Sequence, residues 1–276
     1  MAAVTTERLL TLALELAGWE SVPADSSVGN PGKAINHIFV GLEVGAAELL
    51  IARQLGYHAV VACQPVGMSG ARWEVYRRHA EFLTQLGMAR AEAEEVVAPR
   101  VERLRLEAAH EHIDHLASIA RLLDTPFVTI HSPLQEVGRQ RIQGIADELT
   151  GQHSSASLAD LRDALLNLPE FAVAPQTIIP VLGDWNAPAR RIFVAHGAFA
   201  PPDARVAAAY LAHVDTLLCA DFASEDAEAL RASGNHGNVL VLGRAATESA
   251  GVAPYVAHLR AQGLEVTPTA GILGMH

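Results

Sequence analysis

The sequence predicts an α/β fold made of two related α/β halves, with mixed, mostly parallel sheets flanked by helices. Three observations carry that expectation. Short runs rich in Val, Ile and Leu alternate with amphipathic stretches over most of the chain, the pattern of strands joined by helices. Ile192-Phe193-Val194 repeats Ile38-Phe39-Val40, and in each case the next apolar run closes on a cysteine, Cys63 in one half and Cys219 in the other. Three apolar runs end in polar clusters, where α/β folds place ligand-binding groups.

Taken in order, Thr5 to Ala17 reads as an amphipathic helix with Leu9, Leu10, Ala13, Leu16 and Ala17 on one face. The polar stretch Pro23 to Lys33 reads as a loop. Ile35–Val40 is a strand, Ala46–Leu55 a helix and Ala59–Cys63 a strand, together a right-handed βαβ unit. Trp73–Leu86 is one helix, and Ala91 to Leu123 supplies one or two more, with Pro99 as the candidate break. Phe127–His131 is a strand and Val137–Leu149 a helix. The polar connection Gly151–Ser157 is the best linker candidate. It divides the chain into a first half, 1–150, which includes the helical segment 73–123, and a second half, 151–276. The second half reads as a helix at Ala159–Leu166 and a strand at Thr177–Leu182. A turn at Asp184–Ala189 follows, then the strand opening at Ile192, a helix at Asp203–Leu211 and a strand at Thr216–Cys219. Asn238–Leu242, Gly251–Gln262 and Glu265–Thr267 form a last strand, helix and strand, a candidate to pack back on the first half.

Bulk composition excludes several function classes. The net charge of -11 argues against an electrostatic nucleic-acid footprint. It leaves room for a small anionic substrate held by a metal or a few arginines. No apolar run approaches the ~20 residues that span a bilayer, and Glu7, Arg8 and Glu15 interrupt the N-terminal apolar stretch, unlike a secretion signal. Cys63 and Cys219, both in apolar strand contexts, read as buried thiols of a cytoplasmic protein.

The three polar clusters are Val60-Val61-Ala62-Cys63-Gln64-Pro65, Ile130-His131-Ser132-Pro133-Leu134-Gln135 and Leu242-Gly243-Arg244-Ala245-Ala246-Thr247-Glu248. Together they resemble the three motifs of the Nif-three-like family, the dinuclear-metal-centre proteins also called type-two GTP cyclohydrolase-one homologs. There the motifs usually read His-His-Pro, His-x-x-Leu-Asp and Gly-His-x-x-Thr-Glu. The resemblance covers nearly the whole chain. It implies the Nif-three-like fold, here with a helical insertion, metal-dependent hydrolysis of a nucleotide or phosphoester, and a homo-oligomer in the form of a hexameric ring.

The resemblance transfers residue by residue. Glu248 matches the family's carboxylate ligand and His131 its second-motif histidine, while Pro65, Gly243 and Thr247 match as scaffold. Cys63 and Gln64 stand where the paired histidines would be, Gln135 replaces the aspartate and Arg244 the third-motif histidine. Glutamine offers only a neutral amide oxygen, and arginine is a permanent cation that repels a metal. The replacements therefore imply one divalent metal (Zn, Mn, Fe or Mg) rather than two, or none. A single metal would sit on His131 and Glu248, with Cys63 as thiolate or His112 as further ligand. The competing reading makes Cys63 a buried apolar residue and Gln64, Gln135, Arg244 and Glu248 a hydrogen-bonded cluster. In that cluster Arg244 either pairs with Glu248 or meets an anionic ligand.

His110-Glu111-His112-Ile113-Asp114-His115 is a second place to look for a metal. On a helix, His112 and His115 share a face, and so do Glu111 and His115, so His112 or His115 is a candidate to reach the same cleft. The bland reading is a solvated helix face. His196 and Asp221, each at the end of an apolar run, are weaker cleft candidates.

Two functions follow. One is a hydrolase using a degenerate metal site, with Glu248 and Arg244 as its catalytic groups. The other is a non-catalytic oligomeric scaffold, or a ligand- or metal-binding protein, that has lost the dinuclear centre.

Overall fold

Apolar patterning places most of the strands where the sequence expects them. The computed structural model describes residues 4–65, 71–153 and 155–275. Helix α1 (Thr6–Ala17) is capped by Thr5, which accepts from the Arg8 amide, and it buries Leu9, Leu12 and Ala13. Strand β1 (Ser27–Asn30) follows, inside the stretch that composition marks as a loop. Then come β2 (His37–Gly41), α2 (Ala46–Gln54) and β3 (Ala59–Ala62), with β2 and β3 parallel.

The expected single helix over Trp73–Leu86 is instead a 3-10 turn, Arg72–Arg77, continued by α3 (Arg78–Gln85). Helix α4 (Arg90–Ala108) runs through Pro99 without a break. The interruption falls at residues 109–114, where Asp114 adopts φ 65°, before α5 (His115–Leu122). Strand β4 (Phe127–Thr129) passes straight into α6 (Ser132–Gln152), which starts earlier than the apolar period suggests. Pro133 is tolerated there because the first-turn amides of a helix need no intrahelical acceptor.

The second half contains α7 (Leu158–Leu165), α8 (Pro169–Ala172), β5 (Ile179–Leu182), β6 (Ile192–Val194), α9 (Ala204–Leu211) and β7 (Thr216–Cys219). Helix α10 (Ser224–Ala232), β8 (Asn238–Val241), α11 (Arg244–Ala261) and β9 (Glu265–Thr269) complete it.

The strands form two sheets, ordered β1-β4-β3-β2-β9 and β5-β8-β7-β6. In each, three successive strands run parallel and an antiparallel strand flanks the last of them. The registers match as well. Ile38 pairs with Ala59 as Ile192 does with Thr216, and Ala62 pairs with Thr129 as Cys219 does with Val241. Even the irregularity in the antiparallel strand recurs, between Val28 and Asn30 in one sheet and Pro180 and Leu182 in the other.

The halves are tied together by α6, α11 and β9. Strand β9 lies parallel to β2 and extends the first sheet. Val252, Tyr255, Val256 and Leu259 of α11 join Leu9, Ile38 and Val61 in one apolar core. Helices α6 and α11 cross closely, because a Cβ on Gly251 would overlap the Leu134 carbonyl and one on Gly138 would meet the Thr247 carbonyl oxygen at 3.0 Å. Among the described residues, no helix is long and apolar enough to cross a membrane.

Candidate functional site

The C-terminal ends of both sets of parallel strands open on one cleft of about 440 Å³, the position expected of a ligand site in α/β folds. Gln64 reaches it from the end of β3, His131 and Gln135 from the start of α6, and Arg244 and Glu248 from the first turns of α11. The structure therefore brings five of the sequence candidates together. His196, just past β6, and Asp221, just past β7, line the same cleft, as do Arg72 and Phe199.

His131 is held by a residue that the sequence reading missed. Its Nδ1 lies 2.8 Å from Oδ2 of Asp25, so the Nδ1–H donates to a fully buried carboxylate. Ser132 Oγ donates to the same Asp25 oxygen, and the His131 amide donates to Ser26 Oγ at 3.0 Å. With the proton on Nδ1, the Nε2 lone pair is the acceptor, and Gln135 Nε2 donates to it at 2.6 Å. Asp25 sits just ahead of β1, in the stretch read as a loop. The repeat of the second half, where a strand was expected at the equivalent place, was the signal available for it.

Glu248 accepts a hydrogen bond from Gln64 Nε2. Burial raises its carboxyl above the usual range, while the neighbouring His131, Gln64 and Arg244 pull the other way. Arg244 faces the cleft but does not take Glu248 as its hydrogen-bonded partner. Its Nε and Nη2 lie 2.8 and 2.6 Å from Oδ2 of Asp221. Beyond these residues a second hollow of about 380 Å³ is lined by Gln64, Arg244, Glu248, Glu43 and Glu48.

Two metal candidates do not reach the cleft. Cys63 packs in the apolar core of the first sheet, and burial, helped by the Glu248 carboxylate, pushes its thiol upward, away from thiolate. His112 is exposed in the break between α4 and α5, and His115, at the start of α5, is exposed too, so the helical spacing argument does not apply. Glu111 from this segment does act at the cleft, through an ion pair with Arg72.

The donor set does not fit the two-metal centre that the resemblance implies. The His131 Nε2 lone pair, the usual metal donor opposite a carboxylate on Nδ1, is taken by an amide. Gln64 and Gln135 are neutral, and a guanidinium occupies a ligand position. Among the described residues, no three His, Cys, Asp or Glu side chains come together as a metal-binding group.

The wall formed by residues 195–201 is built from both halves. Arg78 donates to the Gly197 carbonyl, and His79 Nε2 lies 3.0 Å from the Ala200 carbonyl oxygen. The Phe199 ring stands edge-on to His131 at 6.2 Å, and the Arg72 guanidinium lies over that ring at 5.5 Å. His196 is buried, and burial lowers its pKa to about 3, with His131 adding to the effect.

Comparison with known proteins places this architecture. The chain is similar over 98% of its length to the whole of a NIF3 superfamily protein from Sphaerobacter thermophilus, at 37% identity and a TM-score of 0.92. Reduced HcgD from Methanocaldococcus jannaschii matches at 10% identity and a TM-score of 0.56, over 97% of this chain and 98% of that one. The protein ybgI, of unknown function, matches at 15% identity and a TM-score of 0.50, over 97% and 98% of the two chains. At such identities these last two share the fold alone. No protein-family model and no curated protein matches the chain.

Proposed function

The chain belongs to the NIF3 superfamily, and from that premise we propose that its cleft binds a small anionic molecule without a two-metal centre. One observation carries this reading. The side chains at the metal-binding positions that face the cleft are engaged with protein partners: Gln135 with His131, Gln64 with Glu248, and Arg244 with Asp221. Replacing histidine by arginine and aspartate by glutamine turns a cation-seeking site into one that offers donors and positive charge. The cleft is also large enough for a small ligand and has polar groups converging from several strand ends.

A second reading, hydrolysis, is favoured by the Asp25–His131 pair. A buried carboxylate on Nδ1 orients the imidazole and leaves Nε2 as its basic nitrogen, which would serve as a general base once Gln135 releases it. In that reading Arg244 holds the anion and Glu248, whose pKa burial raises, is the carboxyl placed to exchange a proton.

Both readings meet in one set of measurements on protein purified without a His-tag or chelator. Elemental mass spectrometry gives metal per chain, a thermal-shift panel of nucleotides, phosphate esters and carboxylates gives binding, and a phosphodiesterase assay is run with and without Mn, Zn or Mg. The expected result is no stoichiometric metal, together with ligands that raise Tm in the wild type and do so less in Arg244→Gln, which removes the guanidinium that lines the cleft. One or two equivalents of metal, with hydrolysis lost in Glu248→Ala and His131→Ala, would overturn the binding reading in favour of a metal hydrolase.

A further inference from the structure

His196 is a group that the three motifs leave unexplained. It is 6% exposed and lines the cleft, yet its Nε2 is buried with no hydrogen-bond partner among the described residues. An unpaired buried polar atom costs about 1–3 kcal/mol, and native structures keep few of them. Arg72 lines the same cleft. Its Nη1 donates to the Pro65 carbonyl and its Nη2 to Glu111, but its Nε is also buried without a partner among the described residues. Both residues line one cleft, and each keeps a buried nitrogen, one of them a donor only, without a partner among the described residues.

The surroundings favour negative charge there. Glu136 is shared by two guanidiniums, Arg78 at 2.9 Å and Arg139 at 2.8 Å, so that cluster near His196 is net positive. The first turns of α6 and α11 border the cleft and bring the positive ends of their helix dipoles to it. Of the two carboxylates that line it, Asp221 is paired with Arg244 and Glu248 accepts from Gln64. His196 stays uncharged at neutral pH, leaving its ring free to donate through Nε2–H.

The segment carrying His196 is held in a costly shape. Phe199 has φ 70°, a left-handed conformation that is unusual for a bulky side chain. Gly197 has φ 81°, and a Cβ there would press on Arg78 Nη1 at 3.1 Å. Strain such as that at Phe199, about 1–3 kcal/mol, gathers at ligand clamps, whereas Gly197 takes its φ without that cost.

We propose that His196 and Arg72 form an oxyanion subsite, in which the acceptor oxygens of a phosphoryl or carboxylate group meet His196 Nε2–H and Arg72 Nε–H. This rests on the reading of the cleft as a ligand site and names the chemistry that the ligand brings.

The test is calorimetric titration of the full chain with inorganic phosphate, sulfate and acetate in metal-free buffer, alongside the imidazole nitrogen resonances. The expected result is saturable binding of one oxyanion per chain with a shift of the His196 Nε2 resonance. His196→Leu, close in volume, should weaken binding about tenfold while leaving Tm unchanged or raised, since it removes an unpaired polar atom. A residue with only a structural role would not give that combination. His196→Gln, which keeps an amide donor, should recover part of the affinity. Arg72→Lys, which keeps the charge but lacks Nε–H, should weaken binding by a similar factor. Phosphate and sulfate binding above acetate identify a phosphoryl group, and the reverse order a carboxylate. Absence of oxyanion binding, or binding unchanged in His196→Leu, overturns the subsite. If that happens while panel ligands still raise Tm through Arg244, the cleft reading stands without it. If no small molecule binds at all, both readings fall.

Discussion

The two halves share a ladder and differ at its ends. Counting from the matched registers, Gln64 and Asp221 occupy equivalent places two residues beyond Ala62 and Cys219. His131 and Gly243 are equivalent in the same way, two residues beyond Thr129 and Val241. Ahead of the antiparallel strands, Asp25 is the counterpart of Thr177. In the first half Asp25 reaches across to bond the His131 ring. In the second, Thr177 bonds the Leu242 carbonyl oxygen at 3.1 Å and fills the space where a side chain on Gly243 would stand. One geometric contact, antiparallel strand to helix start, thus supports an ionisable pair on one side and a neutral brace on the other. Burial fixes the strands, whereas the residues just past them are free to carry chemistry.

The largest expected effect tests whether the halves are one folding unit. Gly251→Ala forces α6 and α11 apart and should cost about 3 kcal/mol or more, with one shared unfolding transition in urea. Gly144→Ala, an exposed position on α6 where a Cβ meets nothing within 4 Å, should instead stabilise by about 0.5–1 kcal/mol. Two separate transitions in Gly251→Ala would show halves that fold independently.

Next comes the matched pair. Asp25→Ala strands the His131 Nδ1–H and the Ser132 hydroxyl in a buried site and should cost about 3 kcal/mol. Thr177→Ala removes one neutral hydrogen bond and should cost about 1 kcal/mol. Equal losses in chemical denaturation would contradict the asymmetry drawn above.

The smallest effect concerns protons. His79, bonded to Tyr210 Oη at 2.8 Å, has its pKa lowered by burial to about 4, and His196 to about 3. Unfolded, both take up protons below about 6.5. Their contribution to stability is therefore complete above pH 6.5 and is lost as the pH falls from there through about 4 and about 3. Between pH 7.5 and 5.5 each should subtract about 1 kcal/mol. His196→Leu should show a shallower decline than the wild type. Leu42, the position equivalent to His196 in the first half, cannot titrate, so a mutant with unchanged slope would place the acid sensitivity elsewhere. Glu248, raised by burial, works in the opposite sense, since its folded form takes a proton first.

Much of this architecture was legible because buried parallel strands are continuous apolar runs, as Ala59–Ala62 and Thr216–Cys219 are. Strand β1 was not legible, because Ser27-Val28-Gly29-Asn30 is half-buried throughout and has no apolar alternation. The start of α6 was hidden by a His-Ser-Pro sequence that reads as the end of a strand. Helix α10 buries only Ala227 and Leu230, too little for a clear period. At the site, the resemblance located His131, Gln64, Gln135, Arg244 and Glu248. It gave no hint of Asp25, since that partnership joins residues 106 positions apart. The identity of Arg244 was plain, but its pairing with Asp221 depends on how two strand ends converge.

The placement of β9 has a consequence in time. The first sheet is begun by Ser27 and finished only by Thr269, whereas the second is complete once Val241 is made. A chain emerging from the ribosome therefore carries β2 with one side unpaired through most of its synthesis, the kind of open edge that invites wrong partners. The half that is written first is the half that closes last.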